Sequence, residues 1–416
     1  MFRVSINAAC CLFACGVLAV ACVAPGGPDG GADIDDRTAA FAWKAVGAGT
    51  YNSCAIAQDG QRYCWGVALV SACAQAPCPI NERPTPALGS AIRFASVTSG
   101  GGIHCGIGEA GDAYCWGDAT YSGAGSLGDG ETTASETPIR VAMTTRVRDI
   151  AAGYNHVCAL DEHHDAYCWG SRLGGKLGRD VPTLDSHRPG KVSTAVKFRT
   201  ISTGNTQTCA IALDDIAYCW GSGYGSLGAG ARDTACNISP SCLSTSTPMP
   251  VEGGIRWAMI SAGNAFTCGV SLDHRGYCWG AVMNFGDPNP PLGKLGNDTF
   301  SGSKVPVAVS GDLQFQSITT GTRQACGLTL TGEAYCWGNN GLAELGIGTT
   351  GGRFASPQRV VGGLRFVSLS LADHTCGLTV NHNVYCWGLS YGGRLGNGQS
   401  VPASVSRPTR VLQPSG

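Results

Sequence analysis

The chain has 416 residues, which is too long for one ordinary core and suits two or three domains or one repeat array. Its formal net charge is −1 and only 14% of its residues are charged, so it lacks the basic surface that nucleic acid binding requires. Glycine supplies 62 of the 416 residues, about 15%, and cysteine supplies 22, a composition that excludes a disordered chain and a long coiled coil.

The first segment predicts export. Arg3 is its one charge, and the stretch from Val4 to Ala24 is apolar or small apart from Ser5 and Asn7. Such a segment is typical of a signal peptide, and its removal delivers the chain to a compartment where disulfides persist.

Cys22 is the predicted lipidation site. It follows Ala19-Val20-Ala21, so a lipoprotein-type signal over residues 1–22 would leave Cys22 as the lipidated N-terminus, with residues 23–40 as a flexible tether. Cys15, which follows Leu-Phe-Ala, is an alternative cleavage position. A plain secretory signal or an uncleaved anchor helix would also fit this segment, and each of them would likewise export the chain.

Seven repeats follow the tether. Tyr-Cys-Trp-Gly occurs seven times at intervals of 50 to 59 residues, and six copies are followed by a Gly-x-Leu-Gly-like turn such as that from Gly125 to Gly128. Each repeat then has a Pro-x-x-Val segment, which is weaker in the first repeat at Pro84–Ala87. The segments are short, alternating and punctuated by glycine, so about four strands fit each unit. The pattern predicts a closed all-β array over residues 41–412, with 413–416 as a tail.

The order of the parts also predicts how the array closes. The chain enters the first repeat at Trp43 and leaves the last one through Pro408–Val411. We expect this C-terminal strand to complete the blade begun by the N-terminal strands, which would join the ends of the ring and remove exposed edges.

These residues resemble the regulator of chromosome condensation repeat family. The resemblance depends on Tyr-Cys-Trp-Gly, on Gly-x-Leu-Gly and on Gly-x-x-His-x-Cys, as in Gly153 to Cys158, and it covers about residues 41–412. The cysteine-rich pattern is also similar to the ectodomain of plant crinkly-type receptor kinases. The resemblance implies a seven-bladed β-propeller, here in a cysteine-rich, exported bacterial form. Because the family includes an exchange factor, a photoreceptor and enzyme inhibitors, it does not imply one function.

Each repeat contains a Cys-x9-Cys pair, which predicts a cross-strand disulfide. In the first repeat, a three-residue hairpin loop at Gln58-Asp59-Gly60 places Cys54 directly opposite Cys64. Seven separate metal sites are the weaker alternative, because two thiols per hairpin lack two further ligands. The predicted pairs are Cys54 with Cys64, Cys105 with Cys115, Cys158 with Cys168, Cys209 with Cys219, Cys268 with Cys278, Cys326 with Cys336, and Cys376 with Cys386.

Four further cysteines lie between repeats. We expect Cys73 to pair with Cys78 and Cys236 with Cys242, so that each disulfide closes a surface loop. Cross-pairing between the two loops is the alternative.

No catalytic constellation stands out in the sequence. His156 and His374 precede repeat cysteines by two positions, but other repeats carry different residues there, which favours hydrogen bonding to the blade over catalysis or metal binding. The Trp of every Trp-Gly occurs in register, which favours packing between blades. Acidic residues form no pair typical of a glycosidase. We therefore predict no enzyme activity, no cofactor and no metal.

Length variation is confined to the connection between Trp-Gly and the next Pro-x-x-Val. The two longest copies, 222–247 and 281–305, belong to consecutive repeats and should open on the same face of the ring. Variable loops on a rigid scaffold often bind partners, so Tyr224, Phe285 and Asp287 are the predicted partner-binding residues. Tolerated loop insertion is the alternative.

Together these features predict an exported, lipid-anchored, monomeric propeller that binds another protein at the cell envelope, without catalysis and without nucleic acid. A structural or adhesive surface component is the first alternative. An envelope enzyme that acts on glycans is the second, and a convergent pair of carboxylates in the central channel would favour it.

Overall fold

The computed structural model describes residues 41–67, 80–86, 91–117, 126–181, 185–223, 225–230, 244–281, 292–401 and 403–414. Within these ranges the chain forms seven antiparallel sheets of four strands each, which are the seven blades of a propeller. The family resemblance implied this architecture, and the structure confirms it.

Each blade consists of four strands that follow one another in the chain. Blades 1 to 4 contain β1 (Trp43–Ala48), β2 (Asn52–Ala57), β3 (Arg62–Val67), β4 (Ile80–Pro86), β5 (Phe94–Ser99), β6 (Ile103–Gly108), β7 (Ala113–Gly117), β8 (Ser135–Arg140), β9 (Val147–Ala152), β10 (His156–Asp161), β11 (Ala166–Ser171), β12 (Asp185–Lys191), β13 (Phe198–Thr203), β14 (Gln207–Ala212), β15 (Ala217–Ser222) and β16 (Ser244–Pro250). Blades 5 to 7 contain β17 (Trp257–Ala262), β18 (Phe266–Ser271), β19 (Gly276–Gly280), β20 (Ser303–Ala308), β21 (Phe315–Thr320), β22 (Gln324–Thr329), β23 (Ala334–Asn339), β24 (Arg353–Arg359), β25 (Phe366–Leu371), β26 (His374–Thr379), β27 (Val384–Leu389) and β28 (Ser404–Arg410).

The described residues include two short 3-10 helices, Leu173–Gly175 and Tyr391–Gly393, which follow the third strands of blades 3 and 7. Among the residues with assigned structure, we find no helix of the length and apolar character that a membrane crossing needs.

The hydrophobic core lies between neighbouring blades. One cluster joins Ile103 of blade 2 to Val157 and Trp169 of blade 3, and equivalent clusters recur around the ring. The Trp of each Trp-Gly is at most 3% exposed, which agrees with the predicted packing between blades. Since the neighbouring blades cover both faces of the inner strands, these strands are buried on both sides, and β10 is buried at all six positions, whereas the outermost strand β8 is partly exposed.

The structure contradicts the predicted closure by a shared blade. β28 pairs with β27 of its own repeat, and β1 to β4 form a complete first blade. The ring closes instead by contact between blades 7 and 1: the Trp43 amide donates to the His382 carbonyl at 3.0 Å, and the Ala48 amide donates to Ser370 Oγ at 2.8 Å. A propeller chain passes from the outermost strand of one blade to the innermost strand of the next, so a sequence period alone does not show where a blade begins.

The two faces of the ring differ in what they carry. The turns between the first and second strands, which we call the rim turns, lie on one face, at residues 49–51, 100–102, 153–155, 204–206, 263–265, 321–323 and 372–373. Each third strand ends beside a rim turn, so the connection from the third to the fourth strand starts on this rim face. The hairpins between the second and third strands lie on the opposite face, the hairpin face.

Candidate functional site

Seven disulfides hold the scaffold that carries the candidate site. Each joins the second and third strands of one blade, with Cα atoms 4.0 to 4.1 Å apart. The cysteines face each other in the strand register, as Cys54 does Cys64, so the pairs are those that the Cys-x9-Cys spacing predicts. All of these cysteines except the half-buried Cys64 are buried.

A central cavity of about 400 Å³ opens at the rim face. The rim turns of all seven blades line it, which places the first strand of every blade innermost. Tyr51, Tyr154, Asn205, Arg323 and Asp373 contribute the larger polar side chains of this lining. The cavity therefore offers aromatic rings, amides and both signs of charge to a partner.

Backbone hydrogen bonds tie consecutive rim turns together. The amide of Asn205 donates to the carbonyl of Gly263 at 3.2 Å, and equivalent bonds of 3.2 to 3.4 Å join the first six blades. Glycine is required at these close approaches, because a Cβ on Gly204 would lie 2.3 Å from the Gly263 oxygen. In blade 7 the turn is one residue shorter, and the Gln324 side chain donates to the Ala372 carbonyl instead, at 2.8 Å.

Buried charged side chains form hydrogen bonds to the rim turns. The second residue of every described Gly-x-Leu-Gly turn is at most 5% exposed, although four of the six are charged; the residues are Ser126, Lys176, Ser226, Lys294, Glu344 and Arg394. Their side chains reach the rim turns: Lys176 Nζ donates to Asn155 Oδ1 at 2.6 Å and to the Asn205 carbonyl at 3.1 Å. Lys294 Nζ donates to the Asn264 carbonyl at 3.3 Å, and the Arg394 guanidinium donates to the Thr50 carbonyl. The repeat motif alone does not indicate this role.

Positive charge predominates among the described groups at the rim. Lys176, Lys294, Arg323 and Arg394 are cationic, whereas Glu344 and Asp373 are the carboxylates near them. Burial raises the pKa of the Glu344 carboxyl, while hydrogen bonds from the Leu342 amide at 2.7 Å and from Asn339 Nδ2 at 2.9 Å oppose this effect. Because Lys176, Lys294 and Arg394 are buried, the charged side chains in the described lining of the cavity itself are Arg323 and Asp373, one of each sign.

The carboxylate pair that a glycosidase needs does not occur in the described lining of the central cavity, where Asp373 is the one acidic residue. Likewise, the described residues contain no cluster of three or more His, Cys, Asp or Glu side chains that could hold a metal ion. The two buried histidines that precede repeat cysteines contact the neighbouring blade: His156 Nε2 lies 2.8 Å from Thr208 Oγ1, and His374 Nε2 lies 2.7 Å from Ser53 Oγ.

The two longest connections start on the rim face, as the sequence predicts. The Ser222 amide donates to the rim carbonyl of Thr206 at 2.9 Å, and the Ala281 amide donates to that of Ala265 at 2.8 Å. Several predicted site residues lie outside the described residues; they are Cys22, Cys73, Cys78, Cys236, Cys242, Tyr224, Phe285 and Asp287.

Comparisons with known proteins agree with this architecture. The family model described as the regulator of chromosome condensation (RCC1) repeat matches residues 147–171, which span β9 to β11 of blade 3. The chain is 28% identical to the ultraviolet-B receptor UVR8 of Arabidopsis thaliana over 350 residues, which cover 81% of this chain and 75% of UVR8.

A second relative is much longer than this chain. The E3 ubiquitin-protein ligase HERC2 of Mus musculus is 31% identical over 273 residues, which cover 62% of this chain but only 5% of HERC2. The match therefore concerns one small part of that ligase.

A solved structure shows the same fold. Prp20p of Saccharomyces cerevisiae superposes with a TM-score of 0.62 at 18% identity, over 79% of this chain and 80% of Prp20p. Together with the seven four-stranded blades and the repeated Tyr-Cys-Trp-Gly motif, these similarities identify the chain as an RCC1-like seven-bladed β-propeller.

Proposed function

We propose that this chain is an exported, non-catalytic propeller that binds another protein through its rim face. The observation that carries the proposal is the set of seven cross-strand disulfides, one in each blade, with 13 of their 14 cysteines buried. Such bonds persist in oxidising compartments and are rare in the cytosol.

Protein binding is supported by what the rim face combines. It carries the central cavity, the polar rim turns and the start of both long connections, all on a rigid disulfide-linked scaffold. Prp20p has binding properties to Gsp1p and histones, so a propeller of this fold serves as a protein-binding module in that protein. The exposed guanidinium of Arg323 at the rim favours a partner that offers a carboxylate there.

The finer parts of the proposal come from the sequence. Residues 1–22 would act as a lipoprotein-type signal, Cys22 would carry the lipid, and residues 23–40 would hold the propeller away from the membrane of a bacterial envelope. Metabolic labelling with an alkyne fatty acid tests the anchor. We expect label on the wild-type chain and none on a Cys22→Ala variant, and label on both would contradict the assignment of Cys22.

The binding face is tested with the full chain, carrying a C-terminal tag and purified with its partners from detergent-solubilised envelopes. The rim variant combines Tyr154→Ala with Arg323→Glu, and the matched control combines Leu213→Ala with Leu272→Ala in two hairpins of the opposite face, where both leucines are more than half exposed. We expect one protein that the wild type and the control variant enrich equally and the rim variant loses by about tenfold or more. Loss with the control variant alone would contradict the assignment of the rim face.

A further inference from the structure

The hairpin face carries exposed aliphatic side chains in four consecutive blades. Each is the first residue after the second strand of its blade, and each is 48% to 54% exposed. We call these four residues of blades 4 to 7 the aliphatic arc; they are Leu213, Leu272, Leu330 and Val380. At the same position blades 1 to 3 have polar residues, namely Gln58, Glu109 and Glu162. The hairpin face is therefore apolar on one side of the ring and polar on the other.

The local backbone gives all four arc residues the same place on this face. In each of these blades a hydrogen bond of 2.8 to 3.0 Å closes the hairpin loop, as between the Ser271 amide and the Arg275 carbonyl. Among the described residues, none of the four joins the clusters that fill the space between blades. One exposed leucine is ordinary on a protein surface, but four in register on neighbouring blades form a continuous apolar strip.

Exposed cationic residues lie beside three members of the arc. The backbone carbonyl of each accepts a hydrogen bond of 2.9 to 3.1 Å from the amide of the arc residue. The pairs are Leu213 with Lys197, Leu272 with Arg256, and Val380 with Arg365. Two of these cations also pair with carboxylates, at 2.7 Å from Asp165 and at 3.0 Å from Glu333. An apolar strip flanked by Lys and Arg fits the boundary between lipid headgroups and acyl chains, where long cationic side chains reach the headgroups.

The chain enters the propeller beside one end of the arc. The Gln58 amide, in the hairpin of blade 1, donates to the Ala42 carbonyl at 3.0 Å. The Trp43 amide donates to the carbonyl of His382, in the hairpin of blade 7, also at 3.0 Å. Residue 42 therefore lies on the hairpin face, next to the hairpin that carries Val380.

We propose that the hairpin face docks on a phospholipid bilayer, with the aliphatic arc inserted among the headgroups and blades 1 to 3 tilted away from them. The proposal rests on the lipid anchor proposed above. The predicted tether of residues 23–40 joins the propeller at this face, and a flexible chain of 18 residues has a root-mean-square length of about 25 Å. A lipid on Cys22 would therefore keep the hairpin face close to the membrane. Glu109 and Glu162 oppose insertion of blades 2 and 3, because a carboxylate is costly to move into an apolar phase.

Photo-crosslinking to lipid maps the docking face. The full chain is reconstituted into liposomes of phosphatidylethanolamine and phosphatidylglycerol that contain a phospholipid with a diazirine in its acyl chain. After irradiation and proteolysis, mass spectrometry locates the lipid adducts. We expect at least about fivefold more adducts on the hairpins of blades 4 to 7 than on those of blades 1 to 3 or on the rim turns. Adducts confined to the rim turns, equal adducts on all seven hairpins, or no adducts on any hairpin would each overturn the proposal.

Two matched variants test the arc itself. Leu272→Ser combined with Leu330→Ser should reduce the hairpin adducts by about fivefold or more, because serine gains little from leaving water. The control combines Leu173→Ser with Tyr391→Ser in the two 3-10 helices that follow third strands, where these side chains are 62% and 67% exposed. It should leave the hairpin adducts unchanged, and an equal reduction in both variants would overturn the proposal. Since all four side chains are exposed, none of these substitutions removes core packing.

The outcomes for the docking face and for the anchor are distinguishable. Alkyne fatty acid label on Cys22 without hairpin adducts would overturn the docking face and leave the anchor standing. Hairpin adducts without that label would support the docking face and overturn the anchor. Cross-links between the arcs of two chains, in place of lipid adducts, would also overturn the proposal, since a second copy would then cover the arc. Detergent replaces the bilayer in the copurification, so Leu213 and Leu272 remain a control there for protein binding.

Discussion

The indole Nε1–H of Trp65 donates a hydrogen bond of 2.8 Å to the carbonyl oxygen of Arg394, which lies 329 residues further along the chain. This bond joins blade 1 to blade 7 and has the same geometry as the Trp bonds at five other interfaces. The ring is therefore closed by the ordinary contact between neighbouring blades, with no strand exchanged between its ends.

The Trp hydrogen bonds should be measurable as differences in stability. Trp169→Phe and Trp116→Phe remove similar volume from similar buried sites, but only Trp169 loses a hydrogen bond. We expect Trp169→Phe to reduce the free energy of unfolding by about 1–2 kcal/mol more than Trp116→Phe does. Urea unfolding under oxidising conditions measures this difference, and equal losses would show that the indole bond contributes nothing.

Comparison of the repeats predicted some of these roles and missed others. Burial of the Trp residues follows from their register. Their hydrogen-bond acceptor cannot be recognised from the sequence, because it is a backbone carbonyl, and residues as different as Ser126, Lys176 and Glu344 supply it. Arg62 is different, because it precedes Tyr-Cys-Trp-Gly at a position where the other six repeats have a small or aliphatic residue. Aligning the seven repeats position by position would have singled it out.

Removing one blade disulfide should destabilise the propeller without unfolding it. Cys209→Ala combined with Cys219→Ala deletes the disulfide of blade 4, which closes a short loop between two buried positions. In the chain-entropy description the loss is about 2–3 kcal/mol of unfolding free energy. Urea unfolding of the double variant checks this value, and an unchanged midpoint would contradict it.

The pairing of the four cysteines between repeats, which lie outside the described residues, remains a prediction. Proteolysis without reduction, followed by mass spectrometry, should recover one peptide pair that links Cys73 to Cys78 and another that links Cys236 to Cys242. Peptides that link Cys73 or Cys78 to Cys236 or Cys242 would support the cross-paired alternative. Free thiols at these positions would contradict both.

Buried histidines should make the propeller sensitive to acid. Burial lowers the pKa of His156 and His374 well below their ordinary value near 6.5, and the nearby charges of Lys176 and Arg394 lower it further. In the unfolded chain these side chains bind protons below pH 6.5, whereas in the folded chain they stay neutral. The free energy of unfolding therefore falls as pH decreases below about 6.5, by up to about 1.4 kcal/mol per pH unit for each histidine.

Glutamine offers a matched replacement, because Gln207 and Gln324 occupy the same position in blades 4 and 6 and donate to carbonyls there. The variant with His156→Gln and His374→Gln should lose less stability than the wild type between pH 7 and pH 5.5, by about 2–3 kcal/mol in total. Urea unfolding at pH 8, 7 and 5.5 measures the two slopes. Parallel slopes would show that these imidazoles are protonated equally in both states.

Ring closure depends on a glycine that lies against the closing indole. A Cβ on Gly396 would lie 2.8 Å from Trp65 Nε1, and the backbone φ there is +64°. Gly254 has the same φ of +64°, but a Cβ added there would meet no heavy atom within 4 Å, so this position isolates the conformational cost. We expect Gly254→Ala to cost about 1 kcal/mol, and Gly396→Ala to cost about 1–3 kcal/mol more because the indole must move. Equal losses in thermal or urea unfolding would show that the contact between Gly396 and the Trp65 indole yields without cost.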